Sequence, residues 1–178
     1  MKLLQHFTVK DLIIITSIAA LGIAVKPIIN PITKIISTPL GIPGGSLTGG
    51  LYMLWLVLTI VIVDKPLTGT LYGFLQSILV LLIGMAGRMG AFSLVAYTLP
   101  GIIADLIYWL YPKKNKLLTH LLLCAFANLT GSLVSSAIFF KMPPLMIGFN
   151  TCLALASGII GGYLGFGIYQ SLKATRII

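Results

Sequence analysis

The stretch Phe92–Tyr111, FSLVAYTLPGIIADLIYWLY, decides how the whole chain is read. Its 20 residues, at 1.5 Å rise each, reach about 30 Å, the thickness of a bilayer's hydrocarbon core. Arg88 stands before it, and Lys113, Lys114 and Lys116 follow it. Asp105 is the only acidic residue deep inside any apolar run of the chain. The pattern predicts a transmembrane helix running from outside to inside.

Working outward, the same pattern recurs on both sides. Apolar segments predict spans near 9–27, 46–63, 67–84, 91–111, 117–140 and 145–172. The fold expected is all-α: a polytopic integral membrane protein with six transmembrane helices in one compact bundle, a single domain over 1–178. Composition agrees, with 178 residues of which 58% are hydrophobic and 8% charged, and a mean hydropathy of +1.07. Soluble domains carry about 25% charged residues, so this chain has too few to cover a water-facing surface. The net charge of +9 does not point to nucleic acid, because the basic residues sit in short connectors rather than on one face.

Those connectors set the orientation. With both termini inside, Lys2, Lys10, Lys65, Lys113, Lys114, Lys116, Lys173 and Arg176 are cytoplasmic, against Lys26, Lys34, Arg88 and Lys141 outside. The positive-inside rule therefore places both termini on the cytoplasmic side of the membrane. The first apolar run is long enough to span and is expected to remain as a helix rather than be cleaved as a signal peptide.

Several chemistries lack their residues. There is no GxxxxGK[ST] phosphate loop, no HExxH and no pair of carboxylates, so neither ATP hydrolysis nor membrane-embedded hydrolysis is expected. Cys124 and Cys152 lie in apolar segments without a CxxC, and read as small packed side chains rather than metal ligands. No cofactor or metal is expected, and the chain does not read as an enzyme. The alternative is a self-contained carrier or membrane enzyme using Asp105 and His120. For Asp105 a structural or coupling role is favoured, and His120 reads as interfacial.

Polar and aromatic residues are unevenly placed by depth. Asn30, Tyr52, Trp55, Gln76, Arg88, Tyr97, Asn128 and Asn150 all fall in the outer half or near mid-depth. Flat rings for stacking and amides for hydrogen bonding suit a cavity for a small heteroaromatic solute. The plainer reading is packing and belt residues, with Gln76 and Asn128 bonded to each other between helices. Residues 28–45 hold three prolines and three glycines, predicting a structured outer connector with at most a short helical turn, of the kind that caps a site. Small residues one turn apart (Ala20/Ala24, Gly69/Gly73, Gly158/Gly162, Gly161/Gly165) predict close helix contacts.

Six short spans, no motor motif, Ala20-Leu21-Gly22-Ile23-Ala24 in the first helix and the long Pro/Gly connector together resemble the substrate-binding S component of energy-coupling-factor (ECF) transporters. The run from Gly49 through Lys65-Pro66 to Pro100-Gly101 and Asp105 is similar to the branch linked to thiamine and its precursors. The resemblance implies an ECF-type ABC importer subunit that captures a vitamin or precursor, such as hydroxymethylpyrimidine, in an outward cavity. It implies docking through Ala20 and Ala24 on a membrane coupling protein that carries two ATPase subunits. A corrinoid precursor or another B vitamin is the alternative cargo. The missing N-terminal metal-ligand pattern disfavours the nickel and cobalt branch.

Overall fold

A computed structural model describes residues 7–39, 41–42 and 44–175; the side chain of Arg88, together with Lys2 and Arg176, lies outside the described residues. Helix α1 (Val9–Ala24) starts at a reciprocal cap. Thr8 Oγ1 accepts from the Asp11 N–H at 3.3 Å, and Asp11 Oδ2 accepts from the Thr8 N–H at 2.7 Å. A 41° bend leads into α2 (Lys26–Ser37). Then come α3 (Gly44–Val63), α4 (Thr68–Leu82), a 3-10 turn (Gly87–Phe92) and α5 (Ser93–Leu110). Helix α6 (Leu117–Leu133) runs on into a π-helical segment (Val134–Phe139), and α7 (Pro144–Ala174) closes the chain. Among the described residues there is no strand.

Polar ties sort the helix ends. Lys65 Nζ, after α3, meets Asp11 Oδ2 at the start of α1 at 2.5 Å. Lys114 Nζ, after α5, meets Asp64 Oδ2 at 2.6 Å. Asn115 Oδ1 accepts from Tyr169 Oη and Lys173 Nζ near the end of α7. One end of the molecule thus gathers the start of α1, the turn after α3, the lysine-rich connector and the end of α7. Helices α1, α3, α4, α5, α6 and α7 run alternately up and down between this basic end and the opposite one.

All six expected segments are helices, but they differ in reach. Gly44–Val63, Met89–Leu110, Leu117–Phe139 and Pro144–Ala174 are each long and apolar enough to cross a membrane, and the bent α1–α2 pair passes as a fifth. Helix α4, with 15 residues, is about 22 Å long at 1.5 Å per residue and falls short of the hydrocarbon thickness. Left-handed Leu67 (φ 64) precedes it and left-handed Gly84 (φ 74) follows it.

Two expectations are corrected. The Pro/Gly connector is not a loop with a short turn: its first part is α2, 12 residues long. Pro27 sits where its missing N–H is harmless, and Pro31 is carried inside. This helix turns its polar side inward, burying Lys26, Thr33 and Ser37, while Ile28, Ile32, Ile35 and Ile36 are exposed. The segment on which the reading began is also not the centre. Helix α3 is, packing against α1, α2, α4, α6 and α7. Its run Leu56–Val61 is buried on every side, as expected for a helix apolar all round.

Glycines set the closest crossings. A Cβ at Gly161 of α7 would collide with the carbonyl of Gly50 on α3, and one at Gly101 of α5 with the carbonyl of Gly69 on α4. At Gly158 and Gly162 it would come within 2.5 Å and 2.6 Å of backbone atoms of Ala125 and His120 on α6. Without a hydrophobic drive between helices in lipid, such backbone approach is what holds them.

Candidate substrate cavity

At the end opposite the lysine cluster a cavity of about 270 Å³ opens beneath α2. Each wall comes from a different element. Lys26 stands at the α1–α2 bend and Asn30 on α2; Ser46, Gly49, Tyr52 and Met53 come from α3, Gln76 from α4 and Tyr97 from α5. Asn128, Gly131 and Ser132 come from α6, Ser135 from the π segment, and Met85, Met89 and Phe140 close the rim.

Five of the eight residues expected from the sequence (Asn30, Tyr52, Gln76, Tyr97 and Asn128) meet here. Tyr52 donates through its hydroxyl to Asn30 Oδ1 at 2.9 Å, tying α3 to α2. Gln76 and Asn128 are not bonded to each other. Gln76 Nε2 donates to the Tyr72 hydroxyl at 3.2 Å, while Asn128 Nδ2 donates to the carbonyl of Ala154 at 2.8 Å and to that of Ser46 at 3.4 Å. Asn128 fits only because Gly49 has no side chain; a Cβ there would overlap its amide.

Three expected residues stand elsewhere. Trp55 is outside the lining: it packs beside Gly22 of α1, and its indole N–H is buried without a partner. Asn150 lies behind the wall. Its Nδ2 donates to Ser132 Oγ at 2.8 Å and also to Ser136 Oγ, and Ser132 Oγ pairs with Ser46 Oγ at 2.8 Å. It therefore holds lining residues in place from α7. Arg88 has its side chain outside the described residues.

Lys26, counted in the sequence only as an outer connector charge, is the cavity residue that reading missed: it is 5% exposed, and its Nζ donates to the Tyr97 hydroxyl at 3.0 Å. The same Nζ lies 4.1 Å from the Tyr97 ring centroid and 5.7 Å from that of Tyr52. The only signal for it in the sequence is its place at the end of an apolar run beside Pro27, which looks identical to a helix-end lysine in water.

The two residues of the alternative reading are committed elsewhere. Asp105 accepts from the N–H groups of Gly69 and Thr70 and from Thr70 Oγ1, each at 2.7 Å, and so caps the start of α4. His120 is not interfacial. It is fully buried between α6 and α7, edge-on to Phe166 and Tyr169, with neither ring nitrogen partnered. Neither ring nitrogen has a neighbouring group from which to take a proton or to which to pass one.

A multi-pass helical bundle with a solute-sized, mixed polar and aromatic hollow near one end defines a membrane transport component. The chain belongs to the ABC-type cobalt transport system permease component family, whose family model matches residues 10–131, more than half of its length. No curated protein and no solved structure matches it. Membership implies a membrane setting and ATPase partners.

Proposed function

We propose that the chain is the substrate-binding S component of an ECF-type importer, taking up a single-ring vitamin precursor of the thiamine-pyrimidine kind. The observation that carries this reading is the cavity, where tyrosine rings and amides from five helices converge around about 270 Å³. That is the small end of ligand sites, the size of one substituted ring and far too small for a corrinoid. Ring faces at Tyr52 and Tyr97 support stacking, and Asn30, Gln76 and Asn128 support hydrogen bonds to ring nitrogens and exocyclic groups.

The family description names cobalt. A Co²⁺ ion draws on imidazole, thiolate or carboxylate donors, and among the described residues no group of three or more His, Cys, Asp or Glu stands together. The donor set supports an organic solute instead.

In this reading six helices cross the membrane as one domain, with the lysine-rich end and both termini in the cytoplasm. Ala20 and Ala24 are exposed on α1, which supports docking of that face on a coupling protein bearing two ATPases. Tilting of the bundle then turns the cavity inward. The test is titration of the purified chain with hydroxymethylpyrimidine, alongside mass spectrometry of any small molecule it carries. Saturable binding that Tyr97→Ala abolishes is expected. A chain that binds no single-ring heterocycle, or a Tyr97→Ala variant that binds normally, overturns the reading.

A further inference from the structure

The chain has three acidic residues, Asp11, Asp64 and Asp105, and each is engaged away from the cavity. Asp11 holds Lys65, Asp64 holds Lys114, and Asp105 caps α4. No carboxylate side chain therefore remains for Lys26, the cation in the cavity wall. An ammonium has three N–H donors, and the Tyr97 hydroxyl takes one. The other contacts around Nζ are the two tyrosine faces. A charge removed from water and left without a counter-charge is costly, and in this protein nothing in the wall supplies one.

We propose that the substrate supplies it: Lys26 is the specificity residue, donating to an anionic or neutral acceptor group on a small aromatic ring and excluding permanently cationic solutes. This rests on the cavity reading above and narrows it. Among single-ring solutes, the free pyrimidine and its phosphate ester are admitted, whereas a permanently charged N-methylpyrimidinium of the same size places a positive charge against Nζ. The tyrosines do not reverse this preference, because Lys26 Nζ already lies 4.1 Å from the Tyr97 ring centroid and a second cation on that face would meet it.

The experiment is isothermal titration of the full chain in detergent with three single-ring probes: neutral hydroxymethylpyrimidine, its phosphate ester, and its N-methylpyrimidinium cation. Wild type is expected to bind the neutral and anionic probes and to bind the cation at least about tenfold more weakly, the scale of one charge-assisted hydrogen bond. Lys26→Met is expected to lose about tenfold or more for the phosphate ester and to abolish the discrimination against the cation. Lys34→Met, on the exposed side of α2, leaves all three affinities unchanged. The cation bound as tightly as the neutral pyrimidine, or a Lys26→Met variant with an unaltered order of affinities, overturns the inference.

If wild type binds none of the three, the pyrimidine reading fails and Lys26 is judged without ligand. Removing an uncompensated buried charge for an isosteric thioether is then expected to raise the melting temperature by about 2–4 °C. An unchanged or lower melting temperature in that case overturns the inference as well.

Discussion

Asp105 on α5 takes both the backbone N–H and the hydroxyl of Thr70 at 2.7 Å, so the first turn of α4 is capped from a neighbouring helix. A helix start leaves four N–H groups without partners. In α4 the residue at the cap position is Leu67, whose side chain accepts nothing. The carboxylate for which the sequence favours a structural or coupling role is thus the missing cap. Asp105→Asn turns an amide donor toward those N–H groups and is expected to cost about 1–3 kcal/mol. Ligand binding should persist in the folded fraction. Thermal melting alongside ligand titration checks both halves, and a variant that melts normally but does not bind contradicts this role.

Helix contact through glycine makes a prediction about size alone. Gly50→Ala and Gly161→Ala each push a methyl group into the backbone of the facing helix, α7 or α3. Overpacking of this kind costs about 1–3 kcal/mol. Gly148→Ala and Gly167→Ala, where a Cβ meets nothing within 4 Å, should be neutral. A melting series over the four variants tests the contrast.

Asn150 acts on the cavity without lining it. Asn150→Ala leaves Ser132 and Ser136 without their α7 partner, loosening the π segment that presents Ser135. Ligand affinity is expected to fall by about three- to tenfold, less than for Tyr97→Ala. Equal losses in the two variants would place Asn150 in direct contact with ligand instead.

Docking and binding should separate. Ala20→Leu with Ala24→Leu enlarges an exposed strip of α1 whose side chains do not line the cavity. Co-purification with the coupling protein is expected to drop sharply while ligand affinity stays within about twofold, since no lining residue moves. Retained co-purification argues for docking elsewhere.

At the basic end, burial raises the Asp64 carboxyl, but the Lys114 ammonium and the Tyr108 hydroxyl more than offset this and hold it below 3.8. The hydrogen bond to Asp64 in turn raises Lys114 above 10.5. Asp64 therefore contributes stability that is fully present above pH 3.8 and lost as pH falls through its lowered pKa. Lys114 contributes below pH 10.5 and loses it as pH rises through its raised pKa. Melting temperature should be flat from about pH 5 to 9 with respect to this pair. Both side chains are about 40% exposed, so Asp64→Asn should cost less than about 1 kcal/mol. A steep slope near neutral pH in wild type, absent in Asp64→Asn, refutes the assignment.

The sequence by itself determined where the helices are and how their ends sort. Hydropathy summed over 15 to 20 residues is a local quantity, so the segments at 46–63, 91–111 and 145–172 appear close to their expected bounds. Charge in short connectors is equally local, which is why the sequence alone groups Lys65, Lys114 and Lys173 at the end where their ion pairs and hydrogen bonds lie. Five cavity residues were legible too, because an amide or tyrosine in an apolar run needs a polar neighbour wherever it lands.

Only the tertiary structure decided which way those side chains face. The 41° bend after α1 turns Lys26 inward. The glycine crossings bring α7 close enough to bury His120 completely and to set Asn150 behind the wall. Trp55 and Tyr52 are separated by less than one helical turn, yet only Tyr52 reaches the cavity. Direction depends on the angles between helices packed far apart in sequence, and no window along the chain contains those angles.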